Sequence, residues 1–181
     1  MITLICGKTA TGKSSVVKVL SEVYHLKPIV TYTTRPPRPG EKNRIDYNFI
    51  SDEEFYRKNK DGFFAETTSY KVADGSTWYY GTALSDLTED SIEDKVLIVN
   101  PSGLKEIKKY NIHTKSVLIT ASEDIIWRRL VERGDSPNEA VRRINADKED
   151  FKGIYDNVDF IISSDDLSPA QIAENINIFR R

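Results

Sequence analysis

Short apolar runs alternate along the chain with stretches whose apolar residues recur every three or four positions. Ile2–Cys6 and residues 96–99, 116–120 and 160–162 read as strands. The runs 96–99 and 160–162 are continuously apolar, which suits a sheet buried on both faces. After the first run, Val16, Val17, Leu20 and Val23 follow at helical spacing. Helix starts are marked by chemistry as well as period. Ser122-Glu123-Asp124 places a cap and two acids at a first turn. Ser136-Pro137-Asn138-Glu139 combines an N-cap, a proline at the first helical position and a capping-box acid, and Ser168-Pro169-Ala170-Gln171 repeats that logic. The alternation predicts an α/β fold: a parallel sheet flanked by helices, with right-handed crossovers.

Residues 31–82 break the pattern. They are rich in Pro, Gly, Tyr and Thr, hold few long apolar runs, and carry a capping-box signature at Ser51-Asp52-Glu53-Glu54. They read as a small, mixed-β insertion beside a core of residues 1–30 and 83–181. A second irregular piece, 132–137, joins two helices within a lid of about residues 130–145. Both are expected as mobile covers over the strand ends, where open α/β sheets bind ligands.

The strand-to-helix junction after Cys6 carries the chemistry. Gly7 to Ser14 read GKTATGKS, the pattern G-x-x-x-x-G-K-[ST]. Its glycines let consecutive N–H groups point at phosphate oxygens, and the following helix adds its positive end. Gly7, Thr9, Ala10, Thr11, Gly12, Lys13, Ser14 and Ser15 are the expected ATP-binding residues. Lys13 reaches for the β and γ phosphates, and the Ser14 hydroxyl is the expected ligand of Mg²⁺.

Bulk composition narrows the rest. The chain has 181 residues and a net charge of −2, with 39% hydrophobic residues, so nothing favours a nucleic-acid or membrane surface. No apolar stretch approaches a membrane span, and the N-terminus reads without a signal peptide. A single cysteine, Cys6, falls in the first strand, so no disulfide forms within one chain; a cytoplasmic protein is expected, as monomer or homodimer.

Several blocks in order carry a family resemblance. They are Thr33-Thr34-Arg35-Pro36-Pro37-Arg38-Pro39-Gly40-Glu41, Asp46-Tyr47-Asn48-Phe49, Phe64-Ala65-Glu66, Tyr79-Tyr80-Gly81-Thr82, Arg129-Leu130-Val131-Glu132-Arg133-Gly134 and Arg143-Ile144-Asn145-Ala146. Together they resemble the guanylate kinase family over nearly the whole chain. The resemblance implies a phosphate clamp for the acceptor nucleotide built from Arg35, Arg38, Tyr47 and Tyr80. Planar bidentate guanidinium groups and phenolic donors suit a dianionic phosphate. Read alone, Pro36-x-x-Pro39 with its arginines also resembles an SH3 ligand. The resemblance further implies that Glu66 accepts the guanine N1–H and N2 amine, with Thr31 and Thr82 donating to O6. Lys13, Arg38, Arg133 and Arg143 would stabilise the travelling phosphoryl group, and Arg129 would assist ATP binding.

The match has three departures. Two acids usual on the strand after the acceptor region are replaced by Ile98 and Asn100, and Asn100 is assigned to acceptor binding without charge. At this point Val99-Asn100-Pro101-Ser102 resembles ribose 1,5-bisphosphokinase. The segment 67–78 is longer than the family's usual turn, and Ser164 stands where asparagine is common. The implied activity is ATP-dependent phosphorylation of GMP or dGMP with Mg²⁺. The alternatives are a kinase of another acceptor (a modified or deoxy-nucleotide or ribose 1,5-bisphosphate) or a non-catalytic phosphopeptide-binding module.

Overall fold

A computed structural model describes residues 1–72, 75–88 and 92–181. In chain order the elements are β1 (Ile2–Cys6), α1 (Lys13–Tyr24), β2 (Lys27–Pro28), β3 (Tyr32–Thr33), β4 (Asn48–Phe49) and α2 (Asp52–Lys60). They continue with β5 (Phe64–Lys71), β6 (Thr77–Ala83), α3 (Leu84–Thr88), β7 (Lys95–Ile98), α4 (Pro101–Ile107) and β8 (Thr114–Thr120). The last are α5 (Glu123–Glu132), α6 (Pro137–Asp150), a short 3-10 turn at Tyr155–Asn157, β9 (Phe160–Ser163) and α7 (Pro169–Arg180). The chain divides into two compact units. The first comprises Met1–Pro28, Glu93–Lys105 and His113–Arg181, the second Ile29–Ile92 and Glu106–Ile112.

The first unit holds a five-stranded sheet in the order β2-β7-β1-β8-β9. Every pairing in it is parallel. β1 is central and buried along its whole length, as a parallel strand covered on both faces should be. Its core gathers Ile5, Val16, Leu20, Val96, Val117, Ile119, Ile162, Ile172 and Ile176. Val23, expected on this face, is 58% exposed. The row Val16–Leu20 continues to Tyr24, which packs against the core in its place. A smaller cluster of Ile126, Leu130 and Ala140, with Ile144 and Ala10 against it, seats α5 and α6 on the loop after β1.

The helix caps follow the sequence in part. Ser51, Ser136 and Ser168 each accept from the N3 backbone, and only Ser168 closes the reciprocal box, with Gln171. Ser122 makes no side-chain cap; its main-chain N–H donates instead to Asp165. Glu139, expected in a capping box, turns to Arg142 and Arg143. Two arginines one turn on offer charged donors that outcompete a single backbone N–H.

The second unit is a mixed four-stranded sheet, β4-β3-β6-β5, with α2 beside it. Its interior is aromatic rather than aliphatic, which is why the region lacks long apolar runs. Phe55 of α2 stacks on Phe64 at 4.7 Å, and Tyr32 meets Phe63 and Phe64 edge-on at 5.2 and 5.6 Å. The long segment 67–78 belongs to an extended β5–β6 hairpin; Ala73 and Asp74 lie outside the described residues. Among the described residues, no helix is long and apolar enough to cross a membrane.

Candidate active site

The loop after β1 lies at the carboxyl end of the central strand, with parallel neighbours β7 and β8 on either side. This is where an open parallel sheet presents its ligand crevice. Gly7 is required by proximity: a Cβ there would stand 2.5 Å from the Ile119 carbonyl oxygen. Gly12 is required by conformation, at φ 89°, immediately before α1 begins at Lys13. The helix therefore starts with its first N–H groups unpaired inside the helix and Ser14 and Ser15 exposed beside them.

Lys13 Nζ donates to the carbonyls of Gly7 and Lys8, each at 2.7 Å. Desolvation of the ammonium lowers its pKa to about 8, against the attraction of Asp147. Thr11 is buried and donates to Lys8 O at 2.9 Å, which fixes the turn. Arg129 of α5 reaches across to the loop. Its Nη1 donates to Ala10 O at 3.2 Å and to Ser164 Oγ at 2.9 Å, and its Nη2 donates to Ser164 O at 2.8 Å. Thus Ser164, in place of the expected asparagine, serves as the bracket that aims Arg129.

Arg133 and Arg143 are each paired with an acid of their own. Arg133, in the turn after α5, donates twice to Asp135 Oδ2, from Nε at 2.8 Å and again from Nη2. Arg143 Nε donates to Glu139 Oε1 at 2.7 Å, while Arg142 engages both Glu139 oxygens. The Arg142 hydrogen bonds, with those of Arg143, hold the Glu139 carboxyl at about 2. Asp147, also on α6, accepts the Thr9 main-chain N–H at 2.6 Å. Neither Asp147 nor Glu139 was given a site role by sequence. The i, i+4 spacing of Glu139, Arg143 and Asp147 is the signal that was available.

Asn100 sits at the end of β7, also in the first unit. Its Oδ1 accepts from Gly103 N at 2.8 Å and Ser102 Oγ at 3.1 Å, so the side chain caps α4. With Pro101 at the first helical position, this accounts for an Asn-Pro pair where two acids were expected nearby. Cys6 is buried, and burial pushes its thiol up to about 11, so it is an inert core residue.

In the second unit the expected clamp is organised around Glu41, which carried no assigned role. Arg35 is 3% exposed, and its Nη2 donates to Glu41 Oε1 at 2.9 Å. Glu41 Oε2 accepts the Arg38 main-chain N–H at 2.8 Å. Burial pushes the Glu41 carboxyl up, and the bonds from Arg35 and Arg38 outweigh it, leaving the group below its ordinary value. The Arg35 guanidinium lies 5.3 Å from the Tyr47 ring centre, and Tyr47 meets Tyr80 edge-on at 6.1 Å. Burial raises the Tyr47 pKa, so it stays a neutral phenol and a hydrogen-bond donor. The threonines before Arg35 brace this segment on β6. Thr33 Oγ1 donates to Tyr79 O at 3.0 Å, and Thr34 Oγ1 accepts from Tyr79 N at 3.2 Å.

Of the remaining expected residues, two face each other across β5 and β6, and the third, Thr31, immediately precedes β3. Glu66 of β5 pairs with Thr82 of β6, and Thr82 Oγ1 donates to Glu66 Oε1 at 2.6 Å. The β3–β6 register pairs Tyr32 with Gly81 and Thr33 with Tyr80, which brings Thr31 level with Thr82. Directly opposed residues share a face, so Glu66 and Thr82 present a carboxylate and a hydroxyl together. A bulge between Phe64 and Glu66 precedes the carboxylate. Burial raises the Glu66 pKa, and the bonds from Thr82 oppose that shift. Two positions along the same face stands Tyr80, against which Tyr70 of the hairpin extension packs at 5.7 Å.

A central parallel strand, a glycine turn and a lysine folded over the turn define a phosphate-loop nucleotide-binding protein. Comparison with known proteins gives the particular family. The guanylate kinase family model matches residues 2–176. The guanylate kinase of Mannheimia succiniciproducens is 31% identical over 183 residues, with 98% of this chain and 86% of that protein covered. That of Helicobacter hepaticus is 32% identical over 179 residues, with 95% and 86% covered. A crystal structure of guanylate kinase from Anaplasma phagocytophilum shares the fold, with a TM-score of 0.71 at 21% identity, covering 99% of this chain and 84% of that one. The chain belongs to the guanylate kinase family.

Proposed function

We propose that this chain transfers the γ-phosphoryl group of ATP to GMP or dGMP, giving ADP and GDP or dGDP. The observation that carries the acceptor's identity is the half-buried Glu66 carboxylate held by Thr82. Guanine offers two adjacent donors, N1–H and the N2 amine, beside the O6 acceptor. A carboxylate complements the two donors, with Thr31 assigned to O6, whereas adenine would leave the carboxylate facing the lone pair of its N1. Arg35, Arg38, Tyr47 and Tyr80 then hold the monophosphate as guanidinium and phenol donors. On the donor side the loop N–H groups and Lys13 hold the ATP phosphates, with Arg129 beside them.

An oxygen of the acceptor phosphate attacks the γ phosphorus in line. The bond from that phosphorus to the β,γ-bridging oxygen breaks, and ADP leaves. The attacking oxygen is already ionised, so no general base is needed. Lys13, Arg38, Arg133 and Arg143 neutralise charge on the moving group, which is the main catalytic task in phosphoryl transfer. For the last two, this requires exchanging Asp135 and Glu139 for phosphate oxygens.

Among the described residues, no group of three or more His, Cys, Asp or Glu is placed to hold a metal ion. Mg²⁺ therefore fits here as an ion bound with ATP. The exposed Ser14 hydroxyl would hold it together with the ATP phosphates. When bound it neutralises phosphate charge. The reaction is cytoplasmic in this reading, in keeping with the single buried thiol.

An acceptor panel tests the proposal. ADP release is followed with ATP and GMP, dGMP, AMP, CMP, UMP or ribose 1,5-bisphosphate. GMP or dGMP is expected to exceed every other acceptor in kcat/KM by at least about 100-fold. A preference for ribose 1,5-bisphosphate or a pyrimidine nucleotide would overturn the guanine reading.

A further inference from the structure

We propose that the Asp147 carboxylate is a resident anion of the donor phosphate site: it sets donor affinity, and ATP displaces it on entry. The proposal rests on reading residues 7–14 as the ATP phosphate loop. It assigns a role to a residue that lies far outside that loop in sequence.

Three observations lead to it. Asp147 Oδ2 accepts the Thr9 main-chain N–H at 2.6 Å, so a loop donor meant for phosphate already holds an anionic oxygen. Asp147 is also close enough to Lys13 for each charge to stabilise the other. The carboxylate thus occupies one N–H that a triphosphate would engage and lies in the field of the lysine it would also engage, so a second anion entering there is repelled. Third, the position is poorly solvated: burial raises the Asp147 carboxyl pKa, against the pull of Thr9 and Lys13. A desolvated carboxylate resting on one N–H is readily given up to a ligand with several charged oxygens.

The same displacement reaches Arg143. Glu139, Arg143 and Asp147 recur every four residues along α6, so they share one face of that helix. Glu139 holds Arg143 at 2.7 Å while Asp147 holds the loop. The apolar contacts of Ala140 and Ile144, grouped with Ala10 of the loop, keep α6 seated when the polar contact is exchanged. Once ATP has taken the Thr9 N–H, the Asp147 end of the face is released, and Arg143 gains a phosphate as an alternative to Glu139. Asp147 is therefore a positioning residue for donor entry and not a catalytic one.

The opposite role for Asp147 would be a brace that preforms the loop for ATP. The two roles predict opposite signs. Binding of ADP and of the non-hydrolysable analogue AMP-PNP is measured by calorimetry, without acceptor, for the wild type, Asp147→Ala and Asp147→Asn. Adenosine, which lacks phosphate, is the control ligand. Asp147→Ala is expected to bind both nucleotides about 10-fold more tightly, with adenosine unchanged. Asp147→Asn keeps the shape and an acceptor oxygen but loses the charge, so it should tighten binding about 3-fold. It also preserves the test if the alanine variant does not fold. Unchanged or weaker nucleotide binding in the folded variants overturns the proposal. Equal tightening of adenosine overturns it too, because the effect would not be directed at phosphate. If the wild type binds neither ADP nor AMP-PNP, the donor-site reading itself falls and takes the proposal with it.

Discussion

Lys13→Ala is expected to lower turnover at least about 100-fold at saturating ATP and GMP, because a charge aimed at the transferring phosphoryl group is worth several kcal/mol in a water-poor site. The geometry sharpens that expectation. The ammonium is folded onto two loop carbonyls and its pKa lies near 8, so it is under-solvated before ATP arrives. Phosphate oxygens are better partners than carbonyls, and the charge should move to them. In the free protein the amine loses its proton as pH rises through about 8, so kcat/KM for ATP should fall over that range. Initial rates between pH 6 and 9, with a thermal melt of the variant to confirm folding, check both statements. Near wild-type turnover in folded Lys13→Ala would remove the phosphate-loop assignment.

Glu66→Gln should reduce kcat/KM for GMP about 10- to 100-fold and leave AMP flat or improved. Glutamine preserves the size but points an NH₂ group at one guanine donor. One charge-assisted bond, worth roughly 1.5–3 kcal/mol, is lost and a clash of donors is added. The structure adds a second expectation. The Thr82 hydroxyl gives its one proton to Glu66 Oε1, so Thr82 orients the carboxylate, and the donation to O6 expected of it falls to Thr31. Thr82→Val should therefore lose activity mainly through a higher KM for GMP. Thr31→Val, without that link, should show a smaller loss confined to purines with O6. Kinetics of the three variants against GMP and AMP decide the matter. An unaltered GMP preference in Glu66→Gln would mean that another residue reads the base.

The sequence exposed those parts of the fold whose signals are local. β1 was legible residue for residue because five apolar positions run into a glycine turn. β7, β8 and β9 differ by a residue or two at their ends, where pairing rather than composition decides. The mixed-β insertion could be recognised by its composition, but its interior could not. Phe55, Phe63 and Phe64 come together only through ring packing between α2 and the sheet. Lys13, Arg35 and Glu66, to which the ligands are assigned, sit in dense motifs and were singled out for that reason. Their supports were not. Asp147 and Ser164 reach the loop or its arginine from 138 and 35 residues away. Glu41, although inside a quoted motif, reveals its function only when its two oxygens are seen on Arg35 and Arg38. Asn100 shows the converse, a departure in sequence that the fold uses to start a helix.

The central claim is a transfer between two nucleotides, and following the transferred group tests it most directly. The protein is incubated with ATP labelled in the γ-phosphoryl group, unlabelled GMP and Mg²⁺, and the products are separated. The account predicts that label leaves ATP and appears in the β-phosphoryl of GDP, one for each ADP formed, and that omitting GMP stops the loss of label. Label recovered only as inorganic phosphate, at a rate indifferent to GMP, would contradict it.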